Sequence, residues 1–375
     1  MAHRLNLEAL ASEFDIDILR VTTAEPFVEQ AQRIREQVKS EIVSDAQRWK
    51  MADLEAFCNP KSVLPSAKSI IVGAECYLTS EPEDMSTPGE PHGLIARYTR
   101  RNYYRDLRKK LIRLAKHLKQ QFQGRYRAYS NGPVAEKPLA RRAGVGFYGK
   151  HSVMVSKDFG SWFVLGELIT DIDFEPDTPV SDDCGPCRLC IAKCPTNAIV
   201  EPYVLDWSKC LQYLTNWHGI LPESYRGLWG KRLYGCSTCQ DVCPKNKKVT
   251  PKPNHPPDGD VGPSFPLLRL LKMTGEEYFE RFRQNQMGAA WIKFDCIRRN
   301  AVTALGNTGD PAGLAPLIEC LGDKEPMLRA HAAWALGRIG GGKARGALAK
   351  ARRSEDSLEV QAEIESALNR CKESC

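Results

Sequence analysis

The sequence predicts three kinds of structure in one chain: a mixed α/β region of the α+β type, a small cysteine-rich module, and an all-helical tail of repeats. Three observations predict it. Short β-branched runs alternate with helical stretches over residues 1–180, and such mixing implies an α/β or α+β domain. Eight of the 14 cysteines then crowd between Cys184 and Cys243. Lastly, the stretch Asn300–Gly306 (NAVTALG) recurs as His331–Gly337 (HAAWALG), 31 residues on.

The first region reads as follows. Met1–Val21 has the pattern of an amphipathic helix interrupted by acids, and it lacks the apolar segment of a signal peptide. Ser69–Leu78 and Ser161–Ile172 are apolar, partly β-branched runs and predict strands. From His151 to Leu168 two such runs flank a Lys-Asp-Phe-Gly break, which predicts a β-hairpin. Arg97–Arg127 predicts a helix with twelve Lys and Arg against the single acid Asp106, net +11, more than the +7 of the whole chain. A solvated helix face is the ordinary reading of such a run, but an excess this one-sided exceeds what i,i+4 pairing uses and points to a polyanion nearby.

The cysteine-rich module spans 181–250. A linker over 251–265 follows, inside a stretch (Thr250–Pro266) with six prolines and two glycines. Residues 266–375 are helical, and Ser366–Arg370 (SALNR) echoes the repeat once more. A period of this length with two short helices per unit predicts a small HEAT-like solenoid, capped by the domain before it. Its Arg298, Arg299, Arg329, Lys343 and Arg345 again suggest a polyanionic partner.

At 375 residues the chain can hold two or three cores, and its 26% charged and 42% hydrophobic residues are ordinary for a globular protein. No apolar run reaches the ~18–20 residues of a membrane span. A soluble, cytoplasmic, monomeric protein without membrane contact is expected. In that setting the scattered cysteines (Cys58, Cys76, Cys296, Cys320, Cys371, Cys375) read as reduced structural thiols.

Cys184, Cys187, Cys190 and Cys194, followed by Pro195, form the ferredoxin run, in which three thiolates hold one cubane and the fourth reaches its neighbour. The second set is Cys210, then Cys236, Cys239 and Cys243 before Pro244. It departs from the usual run, because Cys210 lies 26 residues before Cys236. The crossing rule assigns Cys184, Cys187, Cys190 and Cys243 to one cluster, and Cys194, Cys210, Cys236 and Cys239 to the other. Structural zinc competes, since paired Cys-x-x-Cys binds it too. Eight cysteines, two Cys-Pro endings and no histidine ligand favour two [4Fe–4S] centres. Gly144, Gly146 and Gly149 spell G-x-G-x-x-G, but a helix precedes and a strand follows, the reverse of a dinucleotide fold. They read as turn glycines or as a close backbone approach to a large ligand.

With these residues in view, the chain resembles the epoxyqueuosine reductases. The resemblance rests on Glu136–Val155 (EKPLARRAGVGFYGKHSVMV), Cys184–Ile199 (CGPCRLCIAKCPTNAI), Gly230–Lys247 (GKRLYGCSTCQDVCPKNK) and the basic repeat tail, in that order, and covers nearly the whole chain. It implies a cobalamin in the N-terminal domain, as in reductive dehalogenases, reduced through two [4Fe–4S] clusters. It implies removal of the epoxide oxygen of epoxyqueuosine at the tRNA wobble position, using two electrons and two protons and releasing water. It further implies that the anticodon arm is gripped by its phosphates while one base leaves the stack. Tyr98, Tyr103, Tyr104 and Trp217 are candidates to stack on loop bases, with core packing the competing reading. Carried over, the cobalamin contacts are Ala96, Ser130, Met154, Leu165 and, from the cluster side, Ser237. The external electron donor is not implied.

Three positions depart from the resemblance. Ser130, followed by Asn131, stands where the family has an aspartate presumed to donate the proton. Asn102-Tyr103-Tyr104 replaces Asp-Tyr-His, and Phe57 replaces an arginine. Either the chemistry persists with another donor, Glu136 or a tyrosine (Tyr103, Tyr104, Tyr148), or the chain is a divergent paralogue with another substrate. Two readings of another class stay open: a ferredoxin-like electron carrier serving a partner enzyme, and a tRNA-binding protein with structural clusters.

Overall fold

A computed structural model describes residues 2–39, 53–80, 84–253 and 261–373. Cys375 and part of the expected linker, 254–260, lie outside the described residues. The chain forms two compact units, Met1–Ser80 with Asn102–Cys210 and Thr238–Pro253, and Glu81–Arg101 with Leu211–Ser237 and Asn254–Cys375.

The first unit is built on a four-stranded sheet in the order Ile18–Thr23, Ser69–Cys76, Phe163–Thr170, Tyr126–Tyr129, antiparallel throughout. The central strand Phe163–Thr170 is buried at every residue, so it must have a neighbour on each edge and a layer on each face. One face takes the long helix Tyr103–Gln121, whose Leu107, Leu111, Leu114 and Leu118 are buried. The helix seats over Gly73 and Gly166, which pair across the two central strands. A Cβ on Gly166 would lie 2.8 Å from the Leu111 side chain. The opposite face presents Val72, Ala74, Leu165, Glu167 and Ile169, following the period of two. It packs under Leu139 and Ala140 of the short helix Glu136–Arg142.

Three expected elements differ. The N-terminal helix covers only Leu7–Phe14: Asp15 turns the chain in the left-handed region (φ 54°), and Ile18–Thr23 is a strand. Leu19 and Val21 alternate inward there, a period-two signal that outweighs the helical one. The hairpin over His151–Leu168 is also different. Met154–Val155 pairs back with Phe147–Tyr148, and only Ser156 and Gly160 bridge toward the central strand, which is occupied on both edges. The basic run is likewise three elements: a 3-10 turn at Arg97–Thr99, the helix Tyr103–Gln121 and the edge strand Tyr126–Tyr129. Asn102 caps that helix by accepting from the Arg105 N–H, so the amide does the capping an aspartate would do. Phe57 is a partly buried member of the core beneath the short helix.

The second unit holds a small sheet, in which His92–Ile95 lies between Arg232–Tyr234 and Ser264–Pro266. Its tail stacks the helices Phe294–Thr308, Pro326–Ile339 and Leu358–Glu373, each bearing one copy of the repeated phrase. The repeat has a plain cause. A Cβ on Gly306 would meet Ala335 at 2.7 Å, and one on Gly337 would meet the Ala367 backbone at 2.8 Å, so glycine and alanine bring successive helices together.

The tail's basic residues are mostly committed to the fold. Arg299 is fully buried and donates to the carbonyls of Leu214, Trp217 and Gly219. Arg298 pairs with Asp295 and Asp323, and Arg329 forms a two-pronged bond to Glu355, both at 2.7 Å. Lys343 and Arg345 are exposed. The polyanion expectation therefore fails for three of the five, because carboxylates and carbonyls of the same unit already hold them.

Candidate active site and cluster cysteines

The face beneath the short helix Glu136–Arg142 gathers four of the expected site residues. Met154 and Leu165 are buried in its core. The hydroxyl of Ser130 donates to the Leu165 carbonyl at 2.5 Å. Glu136 opens the short helix, and its carboxylate accepts from the Asn131 N–H and from the Gly132 N–H. Asn131 achieves this in the left-handed region (φ 54°), which asparagine tolerates.

Against Glu136 lies a residue that the sequence reading missed. Glu167, on the central strand, is 1% exposed. Among the described residues neither of its carboxyl oxygens meets an N–H or hydroxyl donor, and it lies within hydrogen-bonding reach of the Glu136 carboxyl. Burial pushes Glu136 up to about 7, against the pull of the Asn131 and Gly132 N–H groups and of Lys137. Burial, and then the charge of Glu136, push Glu167 well above the usual carboxyl range. A carboxylate only accepts hydrogen bonds, so two facing carboxyls need a proton between them. Glu167 has no other donor and keeps that proton. An acid inside the otherwise apolar run Phe163–Thr170 was the visible signal.

The same region contains two polar groups without protein partners. His151 accepts the Val153 N–H at Nδ1, 3.2 Å, which leaves its proton on Nε2, and that atom is buried and unpaired. Burial lowers His151 to about 4, so the ring is neutral. The Ser152 hydroxyl is likewise buried without a partner. Tyr148 is half-buried beside this core, and burial raises its phenol, making it a poor acid.

Tyr104 is not part of this group. It stands in the first turn of the long helix, and its phenol acts on the buried Tyr77. Ala96 and Ser237 belong to the second unit, where the two segments touch. Ala96 donates its N–H to the Tyr234 carbonyl, 2.9 Å, and packs on Gly235. Gly235 has φ +75°, and a Cβ there would lie 2.7 Å from that of Ala96. Glycine is thus required two residues before Ser237. The Gly144 and Gly146 positions face backbone, with a Cβ on each lying 2.2 Å from the carbonyls of Thr178 and Val155 respectively. They serve chain packing, and a helix precedes them, as the sequence indicated.

Every described cysteine is a free thiol. The thiols of Cys190 and Cys243 are each raised by burial and by the charges of Cys184 and Cys187, and Cys190 also feels Cys243. Cys190 and Cys243 thus lie close enough to Cys184 and Cys187 to feel their charge. Lys150 steadies their loop by donating to the carbonyls of Gly185 and Cys187, 2.5 and 2.9 Å. Cys194 accepts the Ala198 N–H on its sulfur, 3.2 Å. Thr196 bonds the Lys209 carbonyl, 2.6 Å, which draws the Cys194 loop to the residue before Cys210. Cys239 and Cys243 are anchored by buried amides. Gln240 donates to Tyr77 and to the Ser161 carbonyl, and Asn246 brackets Ser161 by bonds of 2.7 and 2.8 Å.

Comparison with known proteins agrees with this geometry. Residues 183–246 match the 4Fe-4S double cluster binding domain, and 294–369 match HEAT repeats. Residues 58–131 match the family described as epoxyqueuosine reductase QueG, DUF1730. The fold and the cysteine framework together define an iron–sulfur oxidoreductase with a HEAT-repeat tail. Curated epoxyqueuosine reductases are similar along almost the whole chain. That of Bacillus cereus is 36% identical, covering 95% of this chain and 94% of its own. That of Bacillus subtilis is 36% identical over 97% and 95%. The chain belongs to the epoxyqueuosine reductase family. A solved epoxyqueuosine reductase holding an epoxyqueuosine-modified tRNA-Tyr stem loop superimposes with a TM-score of 0.88 at 34% identity, covering 97% of this chain and 98% of that one. The Streptococcus thermophilus enzyme gives 0.88 at 29% identity over 98% of both chains.

Proposed function

We propose that this chain reduces epoxyqueuosine to queuosine in the anticodon loop of tRNA, with electrons passing through two [4Fe–4S] clusters to a cobalamin. The observation that carries the reading is the end-to-end likeness to a reductase solved with its modified tRNA stem loop. The cluster ligands are Cys184, Cys187, Cys190 and Cys243 for one centre, and Cys194, Cys210, Cys236 and Cys239 for the other. The closeness of Cys190 and Cys243 to Cys184 and Cys187 supports grouping the first four.

The residues present fit a large polar-rimmed cofactor. Met154 and Leu165 provide apolar wall, and the unpaired His151 Nε2 and Ser152 hydroxyl are donors that its polar groups would satisfy. Ser130, Ala96 and Ser237 complete the proposed contacts. Cobalamin, when bound, supplies the low-potential, strongly nucleophilic metal centre on which C–O reduction depends. The chain's own residues position the base and move protons. The exposed Lys109, Lys116 and Lys119 of the long helix are suited to phosphates of an anticodon arm. The chain acts as a monomer, in the cytoplasm, with an external electron donor.

Ser130 favours one second reading, a paralogue reducing another substrate, because its hydroxyl is not an acid and is committed to the Leu165 carbonyl. Nucleoside mass analysis separates the two. Epoxyqueuosine-containing tRNA is incubated anaerobically with the reconstituted protein and a strong reductant, with and without cobalamin. Loss of one oxygen only with cobalamin is expected. Intact clusters and bound cobalamin without that loss would establish the paralogue.

A further inference from the structure

Reducing an epoxide to an alkene breaks two C–O bonds, takes up two electrons and two protons, and releases water. The electrons come from the clusters, recharged by the external electron donor of the proposed function. The protons need a source, and the hydroxyl at Ser130 is not one.

We propose that the Glu136–Glu167 pair is the proton store of this chain's reduction. Glu136 releases a proton to the departing epoxide oxygen, and Glu167, bridged to Glu136 by its acid proton, keeps the pair from becoming doubly charged. The inference rests on the epoxyqueuosine reading above. The second proton comes from solvent, which also reloads Glu136.

Four observations carry it. Glu136 is partly exposed at the start of its helix, whereas Glu167 is 1% exposed. Among the described residues Glu167 has no N–H or hydroxyl donor for either oxygen, so as a bare carboxylate it would be buried with nothing there to stabilise it. Glu136 takes the N–H groups of Asn131 and Gly132, the loop that also carries Ser130, so the acid is held beside the position it replaces. Gly132 is packed onto the pair: a Cβ there would sit 3.1 Å from Glu167 Oε1 and 2.5 Å from the Tyr129 Cβ. The titratable groups acting on Glu136 are Glu167, by a hydrogen bond across the strand–helix interface, and Lys137, by its charge, on its own helix. Glu167 feels Glu136. A carboxylic acid kept neutral near pH 7 by burial beside a second carboxyl is suited to general acid catalysis.

Glu167 acts through Glu136 and is a positioning residue, so the test needs a readout beyond rate. The full chain, reconstituted with both clusters and cobalamin, is assayed on an epoxyqueuosine stem loop from pH 5.5 to 9. Wild-type activity is expected to fall as pH rises through the Glu136 range. Glu136→Gln should lower the rate about 100-fold or more at pH 7, with cluster and corrinoid absorbance unchanged. Adding Ser130→Asp to that variant should restore much of the loss. Glu167→Leu removes the donor that steadies the Glu136 carboxylate, so the falling limb should move to higher pH by about one unit or more. A carboxylic C=O infrared band that persists in wild type at pH 9, above the Glu136 range, should be missing from Glu167→Gln. Glu136→Gln within threefold of wild type, an unmoved limb in Glu167→Leu, or no such band each overturns the proposal. If wild type converts no epoxyqueuosine while binding cobalamin, the functional reading itself fails and the proposal falls with it.

Discussion

Ser130 and Glu136 show how little a single residue type reveals without its surroundings: the hydroxyl is spent on a carbonyl, while the carboxyl is tuned by a partner 31 residues further along the chain. His331 makes the same point for stability. It is fully buried, accepts the Leu221 N–H at Nε2 and bonds the Met327 carbonyl through Nδ1, so both nitrogens are committed in the neutral ring. Burial, followed by Arg226 and Arg299, holds it well below the usual histidine range. Its folded pKa is depressed, so the unfolded chain takes up the proton first. The stability it contributes is complete above about pH 6.5 and drains away as pH falls below that value. Replacing it by an amide (H331Q) should therefore flatten the acid side of a stability-versus-pH curve by up to about 1.4 kcal/mol per pH unit. Denaturant unfolding of the second unit, followed by Trp fluorescence between pH 7 and 5, reads this directly. An unchanged slope would mean that His331 is protonated in the fold.

Among the elements, the repeat helices depend on a glycine that a helix would ordinarily reject. Gly→Ala in a helix interior usually stabilises by about 1 kcal/mol. At Gly337 the sign should reverse, because the new Cβ meets backbone at 2.8 Å and the helices must separate. Gly337→Ala is expected to destabilise the tail by about 1–3 kcal/mol, seen as a lower denaturation midpoint. Gly346→Ala, where a Cβ meets nothing within 4 Å, should gain slightly and serves as the control. The repeat period was legible because every copy solves the same packing problem. The cysteine framework was legible because its spacing is local. The sheet order was not, since Phe163–Thr170 could take its neighbours from anywhere and the short runs at 147–148 and 154–155 carry no signal of which edge they join. Glu167 was hidden for the same reason: its meaning depends on Glu136, and only the fold sets one carboxyl against the other. The charge of Arg298, Arg299 and Arg329 was visible, but their partners Asp323, Glu355 and the Trp217 carbonyl were not.

For the molecule as a whole, net charge of +7 overstates what a polyanion can use. Arg298 and Arg329 are already paired with carboxylates within the fold, as is Lys110 with Asp15 and Glu75, 2.8 and 3.1 Å, and Arg299 is buried on backbone carbonyls. Exposed cations remain on the long helix, at Lys109, Lys116 and Lys119, and on the tail at Lys343 and Arg345. Phosphate contacts release counterions, so each one lost should reduce the slope of log affinity against log salt by about one unit or less. Neutral substitutions at Lys109, Lys116 and Lys119 together should therefore weaken binding of a tRNA anticodon stem loop and flatten its salt dependence, while leaving thermal stability unchanged. Arg329→Gln should do the opposite. It strands the Glu355 carboxylate, which is 4% exposed, so it should lower the denaturation midpoint and leave the salt slope as it was. Fluorescence anisotropy with a labelled stem loop from 50 to 300 mM salt, paired with thermal unfolding of the same samples, separates the two classes. If Arg329→Gln flattened the slope while the lysine triple variant did not, the tail's paired arginines, and not the long helix, would form the anion-binding surface.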